Sequence, residues 1–169
     1  MFQRTAQVYR TQIRCAKGCD DCCLLETVVP LEASVIAAYL SSQPEILELL
    51  CLPNQLNSSQ CVFLKNRTCL IYPVRPIICR THGLPIKYPE SEGIDVCPLN
   101  FHDENLTVID PQFVLDAEVI TTNLLRLNLA FCLLTTGADT AGERISLQSL
   151  LVSHHSKNFK WSQQMPLNS

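Results

Sequence analysis

The sequence predicts a small, mainly helical domain with an irregular, cysteine-rich middle that is organised by metal and contains one short hairpin. Three observations favour this fold class. The chain has 169 residues, of which 47% are hydrophobic, and can therefore bury a core of its own. Helical patterns flank the middle, and prolines and cysteines dominate it. We expect one domain over residues 1–169, with a cysteine-cluster region at 15–100 and a helical region at 110–153.

The first part of the chain favours helices. Residues 1–14 are polar with scattered apolar positions, which suits a short helix. The stretch from Pro30 to Leu50 is predicted to be helical, with Pro30 at the first helical position and a break near Ser41 to Pro44. It should therefore form two pieces. The apolar face expected for them consists of Leu31, Val35, Ala38, Ile46, Leu49 and Leu50.

The middle of the chain shows little periodicity. Residues 52–100 contain most of the prolines, and one strand pair is predicted at 61–64 and 69–72 around the turn 65–68. A loop-rich stretch of this length is unusual in a compact domain unless something holds it in place. Metal coordination by cysteines is the expected restraint.

The last third of the chain predicts a long helix. Asp110 should cap it, Pro111 should be its first residue and Gly137 should end it. Apolar residues between Pro111 and Gly137 form a heptad stripe, which we expect to face the core more than to form a dimer seam. The stripe consists of Phe113, Ala117, Ile120, Leu124, Leu127, Phe131 and Leu134. A shorter helix from about Gly142 to Val152 should bury Ile145, Leu147, Leu150 and Leu151.

Charge and hydropathy exclude several classes of protein. The net charge of −3 argues against nucleic-acid binding. The most apolar stretch, Leu124 to Leu134, is interrupted by Arg126 and Asn128 and is about half the roughly 20 residues that a membrane span needs, so no membrane association is expected. No secretory signal is recognisable at the N-terminus, and we expect a cytoplasmic protein.

Eight of the ten cysteines form three sequence groups. These are Cys15-x3-Cys19-x2-Cys22-Cys23, Cys61-x7-Cys69-x9-Cys79, and Cys97 followed by Pro98. Such density without an export signal favours a metal site over disulfides. Four thiolates bind zinc at ~2.3 Å or hold an iron–sulfur cluster, so eight suffice for two centres. Because consecutive side chains diverge, Cys22 and Cys23 should serve two different metals, or one of them is not a ligand.

Other residues near the cysteines are weaker candidates. Between Cys61 and Arg80 lie four basic residues and no acid, which would offset the charge of a tetrathiolate centre or simply form a surface loop. We expect the Arg80 guanidinium to donate to sulfur or to pair with a nearby carboxylate, and leave Arg75 open between that role and a surface charge. His82 lies three residues after Cys79, a spacing that permits metal ligation, but the eight cysteines already supply enough ligands. Cys132 should be a core residue, and Cys51 a bystander.

The cysteine pattern resembles the YkgJ-type cysteine-cluster family, also called the CxxCxxCC zinc- or iron-chelating domain. The resemblance is based on Cys19-Asp20-Asp21-Cys22-Cys23, the stretch 61–64, the run from Cys69 to Arg80 and Cys97-Pro98. The resemblance implies eight metal ligands: Cys15, Cys19, Cys22, Cys23, Cys61, Cys69, Cys79 and Cys97. A related arrangement occurs in flagellin lysine methylases. The resemblance therefore implies a metal and names no substrate or protein partner.

Three classes of function remain open. The first is a metal-binding domain with a structural or metal-handling role. The second is an iron–sulfur protein that transfers electrons, as an oxidoreductase or as an accessory subunit of a protein-modifying enzyme. The third, an enzyme with its own substrate, is disfavoured because no catalytic constellation is recognisable. Iron is slightly favoured over zinc, since the spacings from Cys61 to Cys79 differ from the Cys-x2-Cys pairs of structural zinc sites.

Overall fold

The computed structural model describes residues 2–16, 18–50, 60–102, 106 and 109–155. In these residues helices dominate and the strands are short. The α-helices are α1 (Phe2–Val8), α2 (Pro30–Ser41), α3 (Pro44–Leu50), α4 (Ile77–Thr81), α5 (Ala117–Thr135) and α6 (Leu147–His155). The strands are β1 (Thr27–Val28), β2 (Leu64–Lys65), β3 (Thr68–Cys69), β4 (Ile86–Lys87), β5 (Leu115–Asp116) and β6 (Ile145–Ser146). Three 3₁₀ turns lie at Tyr72–Val74, Pro111–Phe113 and Ala138–Gly142.

The strands form three separate pairs that tie distant parts of the chain together. β1 pairs with β6 antiparallel, and β4 pairs with β5 in parallel. The predicted hairpin is confirmed as β2 and β3, which pair antiparallel with Leu64 opposite Cys69. It is shorter than predicted, because its turn consists of Asn66 and Arg67 alone. Both have positive φ, 48° and 58°, as a two-residue hairpin turn of the favoured type requires.

The two helical pieces predicted between Pro30 and Leu50 are confirmed as α2 and α3. The predicted apolar face of α2 is wrong. Val35 is 47% exposed, and the helix instead buries Ala33, Ile36, Ala37 and Leu40. The reason is that α2 packs against α3, α5 and α6 and carries apolar residues on nearly every side, so spacing alone does not show which side faces the core.

The start of the long helix was also predicted wrongly. Asp110 caps only the 3₁₀ turn, accepting a hydrogen bond of 3.0 Å from the Gln112 N–H. The chain then runs extended through β5, and α5 begins at Ala117. Its cap is Asp116, whose carboxylate accepts from the Val119 N–H at 2.9 Å. Pairing of β5 with β4 therefore overrides the local helix signals at Asp110 and Pro111.

The heptad stripe on α5 is confirmed only in its first half. Ala117 is buried, but Leu127 is 62% exposed and Leu134 is 86% exposed. The buried positions further along are Asn128 and Cys132. Asn128 accepts from the Leu31 N–H and donates to the Ala141 carbonyl, both at 2.9 Å. A buried amide that connects α2 to the turn after α5 thus takes the place predicted for Leu127.

Helix α5 is longer than the apolar stretch that the sequence suggested. Its 19 residues are long and apolar enough to cross a membrane by length and composition, a criterion that the core helix of a soluble protein also meets. The expectation of no membrane span depended on a stretch of half that length, so the length argument does not hold. In the structure α5 packs against α2 and the 3₁₀ turn that follows it.

Two hydrophobic clusters flank the cysteine-rich middle. One joins α2 to α6 and to the hairpin, and contains Ile36, Phe63, Ile71, Leu147 and Leu150. The burial of the last two residues confirms part of the prediction for the final helix, although α6 begins at Leu147 and not near Gly142. The other cluster contains Leu84, Ile86 and Leu115, with Ala6 of α1 packed against it. The cysteines therefore lie on segments that are anchored to two different clusters.

Candidate metal centre

The eight predicted ligands border two cavities, of about 270 Å³ and about 430 Å³. The smaller cavity is lined by four cysteines, here called the first group: Cys15, Cys19, Cys22 and Cys97. The larger is lined by the other four, here called the second group: Cys23, Cys61, Cys69 and Cys79. Cys15, Cys19 and Cys22 also line the larger cavity, so the two cavities are neighbours and share these three cysteines. In sequence, the first group encloses the second.

Electrostatic coupling between the thiols connects the two groups at Cys22 and Cys23. Burial raises the pKa of Cys22 to about 11, and the Cys23 thiolate adds most to the rise, followed by those of Cys15 and Cys19. Burial likewise raises the pKa of Cys79 to about 12, with Cys61 and Cys69 next in importance. The pKa of Cys23 is raised first by burial and then by the same two thiolates, Cys69 and Cys61. Cys23 and Cys79 are thus coupled to Cys61 and Cys69, whereas Cys22 is coupled to members of both groups.

The local chain path sets the surroundings of the adjacent cysteines Cys22 and Cys23, whose thiols lie close enough for a side-chain hydrogen bond. The Cys23 N–H bonds the Asp20 carbonyl at 2.9 Å, which closes a turn around the doublet. The Cys23 carbonyl in turn accepts from the Cys61 N–H at 2.7 Å. This bond brings the start of the hairpin against Cys23. Cys22, one residue earlier, lines the smaller cavity together with Cys97 and also lines the larger one, so its assignment to a different metal from Cys23 stays a prediction.

Two residues that the sequence did not single out shape the first group. Asn100 is only 2% exposed, accepts from the Arg14 N–H at 2.7 Å, and donates to the Gly83 carbonyl at 2.6 Å and to the Cys15 Sγ at 3.4 Å. Gly83 has φ of 86°, and a Cβ there would lie 2.7 Å from the Cys15 Sγ. The glycine allows the sulfur to approach, and the amide orients it. The only sequence signal for Gly83 was its position directly after His82 in a proline-rich loop.

Backbone N–H groups support the second group. Burial raises the pKa of Cys61 and Cys69, and hydrogen bonds from the N–H groups of Phe63 and Ile71 oppose that rise. Each donor lies two residues after its cysteine. Bonds of this kind stabilise the thiolate, which is the form that binds metal.

Arg75 is the guanidinium whose charge acts on thiols of the second group. It lies 3.7 Å over the ring of Tyr72, and its charge lowers the pKa of Cys69 and Cys79 against the dominant effect of burial. Its Nε atom is buried and has no hydrogen-bond partner among the residues that the structure describes. It also lines the larger cavity.

The other basic residues of this stretch bond to carbonyls or a carboxylate. Arg80, predicted to donate to sulfur, is exposed and donates to the Arg75 carbonyl at 2.8 Å and the Pro73 carbonyl at 2.6 Å. It holds the turn that presents Arg75. Arg67 donates to the Gly18 carbonyl at 2.8 Å and pairs with Asp20 at 3.1 Å, which joins the hairpin to the first cysteine loop.

The remaining candidates lie apart from the thiols or between the cavities. Cys132 is fully buried on α5, as predicted, and Cys51 lies outside the described residues. His82 is exposed and borders both cavities. Within the described part of the chain, no three His, Cys, Asp or Glu side chains converge closely enough to hold a single ion. The described cysteines are all free thiols.

Comparison with known proteins identifies the cysteine region. Residues 14–98, half of the chain, match the family described as "CxxCxxCC: Putative zinc- or iron-chelating domain". The match spans every cysteine of both groups. No curated protein and no solved structure was found to match the chain. The YkgJ-type resemblance is therefore confirmed, and with it metal binding as the property that the family implies: the chain belongs to the CxxCxxCC family of zinc- or iron-chelating domains.

Proposed function

We propose that this protein binds metal at two centres, one on each group of four cysteines. The observation that supports the proposal is that Cys22 lines the smaller cavity together with Cys15, Cys19 and Cys97, whereas Cys23, Cys61, Cys69 and Cys79 line only the larger one. Four thiolates are a complete ligand set for a tetrahedral zinc ion or for one iron–sulfur cluster. The role that fits a closed ligand set is structural, metal-handling or electron transfer.

The residues around the second group fit a bound centre. A tetrathiolate centre keeps a charge near −2, and the Arg75 guanidinium offsets part of it. The buried Arg75 Nε–H has no acceptor among the described residues, and a centre in the larger cavity would bring sulfur within its reach. A buried donor left without an acceptor is costly, so an acceptor is expected there.

An iron–sulfur protein is the specific form that we favour. Zinc at ~2.3 Å from four sulfurs would draw them to within about 3.8 Å of each other, and one ion would occupy little of a cavity of 270 Å³ or 430 Å³. A cluster places several iron and sulfide atoms between its cysteines and so needs more room. Neighbouring clusters would suit an oxidoreductase or an accessory subunit of a protein-modifying enzyme. Free thiols also suit the reducing cytoplasm, where we place the protein.

Anaerobic purification followed by metal analysis, acid-labile sulfide determination and visible absorption tests the identity of the metal. Iron with sulfide and a brown colour is the expected result. Zinc at two per chain with no visible band would refute the iron–sulfur assignment and leave the two centres standing. A chain that purifies without bound zinc or iron, and takes up neither on reconstitution, would refute metal binding itself.

Single substitutions of the doublet test the number of centres. C22S should remove the centre of the first group and C23S that of the second, so each variant should keep about half of the metal. C132S is the matched control, because Cys132 is a buried cysteine that lines neither cavity. If C22S and C23S each abolish all metal binding while C132S retains it, one shared centre is the correct description.

A further inference from the structure

We propose that Arg75 is a positioning residue that donates a hydrogen bond from its Nε–H to sulfur of the second centre. This inference rests on the proposed function and adds a difference between the two centres. The acceptor is a cysteine thiolate of that group or, in a cluster, an inorganic sulfide. The second centre accordingly has a cation beside it.

The position of Arg75 is held from two sides. The Tyr72 ring, 60% exposed, covers the guanidinium from the solvent side at 3.7 Å. The Arg80 side chain bonds the carbonyl oxygens of Arg75 and Pro73 and so restrains the backbone of this turn. A guanidinium stacked in this way has a restricted plane, and its N–H directions are restricted with it.

The unpartnered Nε–H identifies the direction in which an acceptor is missing. The atom is buried, Arg75 lines the larger cavity, and the described residues offer it no oxygen or nitrogen. The groups on which the Arg75 charge acts are the sulfurs of Cys69 and Cys79. An anionic sulfur in the larger cavity is therefore the acceptor that fits.

Among the described residues that line the smaller cavity there is no Lys or Arg. The side chain bonded to Cys15 is the neutral amide of Asn100, and the smaller cavity is bordered by Asp21 and Asp95. A positive charge favours the more negative, reduced state of a cluster, whereas carboxylates disfavour it. The second centre should therefore be the more easily reduced of the two and the slower to lose its metal.

The test compares R75Q with R126Q, which removes the same charge from α5, a helix that lines neither cavity. Both variants are purified anaerobically beside the wild type and challenged with a chelator. We expect R75Q to lose the metal of one centre about tenfold more readily, as expected when a group supporting a metal ligand is removed, and R126Q to match the wild type. If the two centres are iron–sulfur clusters, the reduction potential of one of them should fall by about 59 mV, which corresponds to a tenfold change in the equilibrium constant of a one-electron reduction.

Two results would overturn the inference. Unchanged release and unchanged potentials in R75Q overturn it while leaving metal binding intact. Equal changes in R75Q and R126Q overturn it too, because net charge alone would explain them. If R75Q does not fold, Y72L serves instead: Tyr72 is exposed, and loss of the stack should change the same centre in the same direction but less. A wild type without metal would refute the proposed function, on which the inference depends.

Discussion

Replacement of Gly83 by alanine isolates the contact between the loop after α4 and the first group. Two costs add at this position. The φ of 86° is unfavourable for any residue with a Cβ, by about 1–2 kcal/mol. The new methyl group would also lie 2.7 Å from the Cys15 Sγ and 2.9 Å from the Asn100 Nδ2, where about 3.5–4.0 Å is comfortable. Such overpacking costs a further ~1–3 kcal/mol.

The total expected for G83A is a loss of about 2–5 kcal/mol in the free energy of unfolding. Because the neighbouring atoms must move by about 1 Å, Cys15 should no longer reach its centre. G83A should therefore lose the metal of the first group and keep that of the second. The assays are urea unfolding and metal analysis of the purified variant.

Gly18 is the matched control for this experiment. It also has positive φ, 95°, but no atom lies within 4 Å of the position of its Cβ. G18A should therefore show the backbone cost of about 1–2 kcal/mol without the contact cost. If G83A is no less stable than G18A and binds metal at both centres, the close approach of Gly83 to Cys15 is not important for the site.

Two further predictions concern the buried amide on α5 and the thiols. N128A should lower the free energy of unfolding by about 2–4 kcal/mol, because the Leu31 N–H and the Ala141 carbonyl would lose their partner; urea unfolding measures this, and unchanged stability would contradict it. Burial holds the pKa of Cys22 at about 11 and that of Cys79 at about 12, above the ordinary value of 9.0. The folded, metal-free protein should thus keep its thiol protons between about pH 9 and 12 while the unfolded chain loses them, so its stability should fall as pH rises through this window. Denaturation at pH 8 and pH 10 checks this, and equal stability would refute it.

The parts of the fold that were predictable carry local signals. Proline punctuation at Pro30 and Pro44 marks the starts of α2 and α3, and such signals act within one turn of helix. The start of α5 was missed because a long-range strand pair, β4 with β5, keeps residues after Pro111 extended. The burial of Asn128 was missed for a similar reason, since its partners lie on α2 and beyond the end of α5.

The candidate site shows the same division between local and long-range information. That Cys22 and Cys23 serve different metals follows from consecutive side-chain directions and stays a prediction, although of the two only Cys22 lines the smaller cavity. Which cysteines join each of them depends on how the chain returns from residue 60 onward, and spacing does not contain that information. Asn100 and Gly83 also act on Cys15 only through the fold, across more than sixty residues.

The enclosure of the second group by the first in sequence has a consequence for the order of assembly. Closing the chain from Cys22 to Cys97 directly restrains a loop of about 75 residues, but once Cys23 and Cys79 are joined the remaining free length is only about 18. By the logarithmic dependence of loop closure on length, the inner closure lowers the entropic cost of the outer one by about 1 kcal/mol. During synthesis on a ribosome, Cys79, the last cysteine of the second group, also emerges before Cys97. The second centre should therefore form before the first and prepare the chain to receive it.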